Sequence, residues 1–197
     1  MSPRPRKVSD DDVFIAASKV MSRVGPAELT LAHIAGEAGL TAGALVQRFG
    51  SKRGLMLQLM DRFSGGTAEM FAEIRKGHRS PLAVLRAYGE CMADMAATPA
   101  AFLRNLAYLQ IDLSDPEFRR HLAVSARATR EELQRLITEA IDAGELVSST
   151  NTRQLARTIE AVVGGSMMSW AMHQEGAAAK WMRDDLNAVL KPYINNR

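Results

Sequence analysis

The side chains with chemistry to offer cluster between residues 30 and 55. Thr30 and Thr41 each precede an apolar-periodic segment, and Val46, Gln47, Arg48 and Lys52 follow close behind. Hydroxyls, a carboxamide, a guanidinium and an ammonium at this spacing suit contacts to phosphates and base edges rather than bond-breaking. Gln47, on the exposed face of its helix, either makes a bidentate contact to adenine or is an ordinary surface residue. Arg48 has the fork to bind guanine or a phosphate. Val46 can touch a thymine methyl but donates no hydrogen bond. Ala42, Gly43 and Ala44 are too small to read much, and they let a helix backbone sit close to DNA. Lys52 stands at a helix start, where the dipole also favours an anion.

The elements that must position these groups are short. Thr30 caps a helix carrying Leu31, Ile34, Ala35 and Ala38, and Gly39-Leu40 makes a tight turn. Thr41 caps the next helix, whose buried face is Leu45 and Phe49 at i and i+4; Gly50 stops it, and Ser51 caps a fourth. Ahead of them, Ser9 and three aspartates announce a first helix that ends at Gly25-Pro26. Two helices joined by a glycine-containing turn, each too short to stand alone, form a helix-turn-helix that offers its second helix to the major groove.

Charge placement agrees. Residues 1–60 hold eight Lys and Arg against five acids, whereas residues 61–197 hold seventeen of each sign. The excess of +3 therefore sits in the first third, as expected of one module that faces a polyanion and one that does not. Residues 1–7, with two prolines and three cations, read equally as a solvated tail or as a DNA-contacting arm.

The segment TLAHIAGEAGLTAGALVQRFGSKRGL, residues 30–55, resembles the TetR family of bacterial regulators. The match runs through Thr30, Ile34-Ala35, Ala38-Gly39-Leu40, Gly43, Leu45-Val46, Phe49 and Ser51-Lys52, and covers roughly residues 10–62. Further on, the chain length, the helix count and the phrase AIDAGEL (140–146) agree with the family's variable second domain. Val46 is a departure, because the family usually has a phosphate-contacting Tyr there. The resemblance makes Lys52 a phosphate clamp and favours a phosphate as the target of Arg48; the hydroxyls of Thr30 and Thr41 can reach phosphates while capping their helices.

The resulting expectation is an all-α protein of about nine helices. A three-helix helix-turn-helix DNA-binding domain occupies residues 1–63, and a larger helical ligand-binding and dimerisation domain occupies 64–197. One continuous helix is expected from Ser51 to about Lys76, with Gly65-Gly66 inviting a kink or break. The resemblance implies a homodimer on double-stranded DNA with a palindromic operator, repression, and a small-molecule effector bound in the larger domain. The dimer face is expected on the stripe Leu155, Ile159, Val162, Val163, Gly165 and Ser166, and on Leu186, Val189, Leu190 and Tyr193, although some of these must face the protomer's own core.

Adaptable side chains nominate the effector pocket. They are Phe71, then Tyr88, Met92 and Met95, then Phe102, Asn105 and Leu106, and finally Met168, Trp170 and Met172. Met and aromatic residues at helical spacing equally make plain core, and the residues alone leave that open. A regulator with no small ligand, controlled by a protein partner or by abundance, is the competing reading. No phosphate-cradling glycine loop, nucleophile elbow or metal-spaced His pair is present, so no catalytic site, metal or cofactor is expected. Cys91 is the sole cysteine, which excludes an intramolecular disulfide. Neither a signal peptide nor a membrane span is read, and a cytoplasmic location is expected.

Overall fold

The computed structural model describes residues 8–94 and 98–195. Ten α-helices follow one another: α1 (Asp10–Met21), α2 (Leu31–Ala38), α3 (Ala42–Phe49), α4 (Lys52–Ser64) and α5 (Gly66–Gly77). The remainder are α6 (Pro81–Asp94), α7 (Pro99–Ser114), α8 (Pro116–Asp142), α9 (Thr152–His173) and α10 (Ala178–Leu190), before a 3-10 turn at Lys191–Tyr193. Among the described residues no β-strand forms, and only Leu146 and Ile194 make an isolated bridge. The fold is all-α as expected. The tenth helix arises where Gly65 interrupts α4 from α5, as the Gly65-Gly66 pair invites.

Contacts divide the chain into two compact units. The first takes in the chain up to Phe63 together with Arg104–His121; the second comprises Ser64–Leu103 and Leu122 onward. In the first, Ser9 and Asp12 close a capping box on α1, with Ser9 N–H donating to Asp12 Oδ2 at 2.8 Å and Asp12 N–H to Ser9 Oγ at 3.1 Å. Val13, Phe14, Ile34, Leu45, Phe49 and Leu55 build its core, joined by Tyr108 and Phe118. The rings of Phe14 and Phe49 lie 5.9 Å apart and tilted.

The second unit packs Phe71, Leu85, Leu133, Ile137, Ile159 and Met182 into a separate core. The helices α6 and α10 approach closely at Gly89, where a Cβ would stand 2.9 Å from Leu186 Cδ2 and 3.1 Å from Met182 Cγ. Polar ties within it include Arg75 to Glu139 at 2.7 Å and Arg130 to Glu160 at 2.6 Å.

Candidate nucleic-acid interface

Side-chain caps set the helix starts of the reading head. Thr30 Oγ1 accepts the His33 N–H at 3.2 Å, and Thr41 Oγ1 accepts the Ala44 N–H at 3.2 Å. Each hydroxyl keeps its own proton free to donate outward, so capping and a phosphate contact are compatible. Between α2 and α3 the chain reverses at Gly39, whose φ of 66° is left-handed and suits a residue without Cβ. Leu40 N–H then donates to the Ala35 carbonyl at 2.8 Å, closing α2.

Leu45 and Phe49 anchor α3 to the core, which leaves its other face to solvent. Gly43 and Gln47 are exposed, Val46 is 48% exposed, and Ala42 and Ala44 are half-buried. A helix whose outer face is this small at its N-terminal end can bring its backbone close to another surface.

Lys52 begins α4 beside Ser51, whose Oγ accepts the Gly54 N–H at 3.0 Å. Its Nζ donates to the Leu29 carbonyl at 2.8 Å. That bond uses one of three ammonium donors, which fixes the head group while leaving two for an anion. Arg48 is engaged elsewhere. Its Nη1 donates to the Val8 carbonyl at 3.0 Å, its Nη2 pairs with Asp10, and its guanidinium lies 5.4 Å from the Phe49 ring centre.

Sequence reading missed three features that hold this head together. Gly54 sits so close to the end of α3 that a Cβ would lie 2.2 Å from the Phe49 carbonyl oxygen. Arg53 forks onto Asp115 at 2.9 Å and also meets Glu117 at 2.9 Å. Its hydrogen bonds to Asp115, then to Glu117, raise the guanidinium pKa above its usual value. The Asp115 carboxyl is held below the usual carboxylate range, first by the Glu117 N–H and then by Arg53. Tyr108 donates its hydroxyl to the Val24 carbonyl at 2.9 Å, and Arg104 Nε donates to the Ser22 carbonyl at 2.9 Å. Only the Gly54 position had a local signal, a glycine in the first turn of a helix.

The side chains nominated for an effector pocket fall in both units. Phe71 stacks on Tyr88 with ring centres 5.1 Å apart, and both are buried in the second core. Burial, and then the Glu160 charge, push the Tyr88 hydroxyl up to about 12. Trp170 is buried and donates its indole N–H to the Gly176 carbonyl at 3.1 Å. Met92 and Phe102 are partly buried against the same core, Met168 is half-buried, and Met172 is 72% exposed. Asn105 and Leu106 belong to the first unit. Met95 lies outside the described residues.

The stripe on α9 also divides. Leu155, Ile159, Val163 and Ser166 turn into the protomer's core, and Ser166 Oγ donates to Asp185 at 2.6 Å. Leu186 and Leu190 do the same on α10. Val162, Gly165 and Val189 line a shallow groove along the two helices.

An exposed helix held by a glycine turn, capped threonines and a positioned lysine, in a chain that is otherwise helical, defines a helix-turn-helix DNA-binding regulator. The profile described as "Bacterial regulatory proteins, tetR family" matches residues 15–59, and "Tetracyclin repressor-like, C-terminal domain" matches residues 82–186. The HTH-type transcriptional regulator AcrR of Shigella flexneri is 24% identical over 191 residues, covering 92% of this chain and 87% of that protein. A TetR transcription regulator from Haloarcula marismortui superposes with a TM-score of 0.79 at 16% identity, covering 94% of this chain and 97% of the other. SmeT, the repressor of the Stenotrophomonas maltophilia multidrug efflux pump SmeDEF, gives 0.70 at 20% identity, covering 96% and 92%. The chain belongs to the tetR family of bacterial regulatory proteins and is a DNA-binding transcriptional regulator. No helix among the described residues is long and apolar enough to cross a membrane.

Proposed function

We propose that this regulator is a repressor that binds a palindromic operator as a homodimer and leaves it when a small, mostly apolar effector binds. Residues 1–63 are the DNA-binding domain in this reading, residues 64–197 the ligand-binding and dimerisation domain, and the site of action the cytoplasm. The observation that carries it is the outward face of α3, with Val46 and Gln47 exposed between the capped Thr41 and the tethered Lys52. Lys52, Thr30 and Thr41 take phosphates, Gln47 and Val46 take base edges, and Ala42, Gly43 and Ala44 allow close approach. Arg48 joins them only by leaving Val8 and Asp10. The groove at Val162, Gly165 and Val189 is the face offered to a second copy, which would double the base contacts available to one small head.

Fragments selected from random DNA should share two half-sites about one helical turn (~34–36 Å) apart. Lys52→Ala should weaken all sequences alike, with a salt slope shallower by about one. Gln47→Ala should relax preference at one step, at roughly 1–3 kcal/mol. Selection of no common sequence overturns the operator reading. Sedimentation at micromolar concentration should give twice the chain mass.

The stacked, buried Phe71–Tyr88 pair and the hydrogen-bonded Trp170 favour a second reading for the control step, a regulator with no small ligand. Screening small apolar compounds for melting shifts and operator release separates the two, because an effector must bind the two states differently.

A further inference from the structure

The first compact unit contains a cavity of about 200 Å³, open on one side. Its walls come from the chain before α2, the start of α4, the end of α7 and the start of α8. All of them belong to that one unit. Leu29, Met56, Tyr108 and Phe118 make an apolar lining and are themselves buried. An apolar cavity of about 150 Å³ admits a benzene ring, so this one has room for a single ring and a short chain.

Each polar side chain on the wall other than Asp112 has at least one hydrogen-bond or ion-pair partner. Tyr108 holds the Val24 carbonyl, Lys52 holds the Leu29 carbonyl, and Arg53 is shared between Asp115 and Glu117. Asp112 also lines the cavity, and it makes no hydrogen bond or ion pair among the described residues. Burial, and then the neighbouring Asp115 charge, raise its pKa above the ordinary value. A half-buried carboxylate in that setting gains from an ammonium brought beside it.

We propose that this cavity is a small-molecule site within the reading-head unit, and that it takes a single-ring arylalkylamine with its ring among Leu29, Met56, Tyr108 and Phe118 and its ammonium on Asp112. One unpartnered carboxylate sets the ligand charge at a single cation. Arg53 cannot satisfy Asp112 without releasing Asp115 and Glu117. The site shares Lys52 with the proposed operator surface, and all of its lining belongs to the first unit.

The test is isothermal titration of the full chain with 2-phenylethylamine and, separately, its neutral analogue 2-phenylethanol, at neutral pH and low salt. The amine should saturate at one per chain and bind at least about tenfold more tightly than the alcohol, the worth of a charge-assisted hydrogen bond. Asp112→Asn should abolish that preference while leaving the circular dichroism spectrum intact, and Asp112→Glu should restore most of it. Equal affinity for amine and alcohol overturns the proposal. So does amine binding that Asp112→Asn leaves unchanged, and so does the absence of saturable binding at millimolar amine. Operator binding by the unliganded parent protein, measured separately, tests the regulator reading apart from these results.

Discussion

Gly54→Ala sets two physical effects of opposite sign against each other. Gly54 lies in the first turn of α4, and replacing a helical glycine by alanine ordinarily gains up to about 1 kcal/mol. Here the new Cβ would stand 2.2 Å from the Phe49 carbonyl oxygen and 3.4 Å from its carbonyl carbon. Both atoms are backbone, so no side chain can swing away. Relief requires moving the end of α3 or the start of α4, and overpacking of this kind costs about 3 kcal/mol. The net loss is about 2 kcal/mol, which for a chain of this size lowers the melting temperature by roughly 4–8 °C. Gly36→Ala is the control, since Gly36 is exposed inside α2 and a Cβ added there would meet nothing within 4 Å. That variant should melt roughly 1–4 °C higher than the parent. Differential scanning calorimetry measures both, and DNA retention on the same samples reports whether α3 and Lys52 remain in register. A Gly54→Ala protein that melts at or above the parent temperature and retains DNA equally would refute the steric argument.

Three further outcomes are expected. Arg48→Ala removes the contacts to Val8, Asp10 and the Phe49 ring, and should cost about 1 kcal/mol of stability in thermal melts; loss of DNA affinity with no loss of stability would instead assign Arg48 to DNA. Asp115→Asn should destabilise at neutral pH. Because the folded pKa of Asp115 is lowered, the parent's advantage is present above the ordinary carboxylate pKa and vanishes as pH falls through the folded value, so melts from pH 7 down to 3 should converge. Phe71→Ala should cost roughly 3–5 kcal/mol in urea unfolding, the price of a cavity in the second core, whereas a pocket-lining role would leave stability nearly unchanged.

What could be read from the sequence was local. Thr30 and Thr41 cap helices through bonds to residues three positions on, so residue type and neighbourhood suffice to find them. Leu45 and Phe49 share a face by helical period, and Gly39 and Gly65 mark interruptions that the chain makes wherever it folds. Arg53–Asp115 and Tyr108–Val24 span 62 and 84 residues, and no period or motif links their positions. The Arg48 guanidinium was legible as a cation, but its partners Val8 and Asp10 lie about forty residues away. Met and aromatic spacing is ambiguous for a different reason. A side chain that fills a core and one that lines a cavity have the same period on a helix, so Phe71 and Tyr88 gave the same signal packed as they would have given open. Met56, Tyr108 and Phe118, which line a cavity in the first unit, carry the same period again.

These long-range ties bear on what must fold for α3 to be presented. The helices α2 and α3 have eight residues each, too short to persist without tertiary packing. A core built only from residues up to 63 would be marginal for its size. Tyr108 and Phe118 close the core that α1 to α4 begin, and the Tyr108 hydroxyl and Arg104 hold the carbonyls of Val24 and Ser22 just beyond α1. Arg53, next to Lys52, is braced by Asp115 and Glu117. The folding unit that carries the DNA-reading surface is therefore discontinuous in sequence. Substituting Arg104, Tyr108, Asp115 or Phe118 should therefore reach DNA affinity through the stability and register of α3 and α4, and a fragment cut at residue 63 loses those braces together with part of its core.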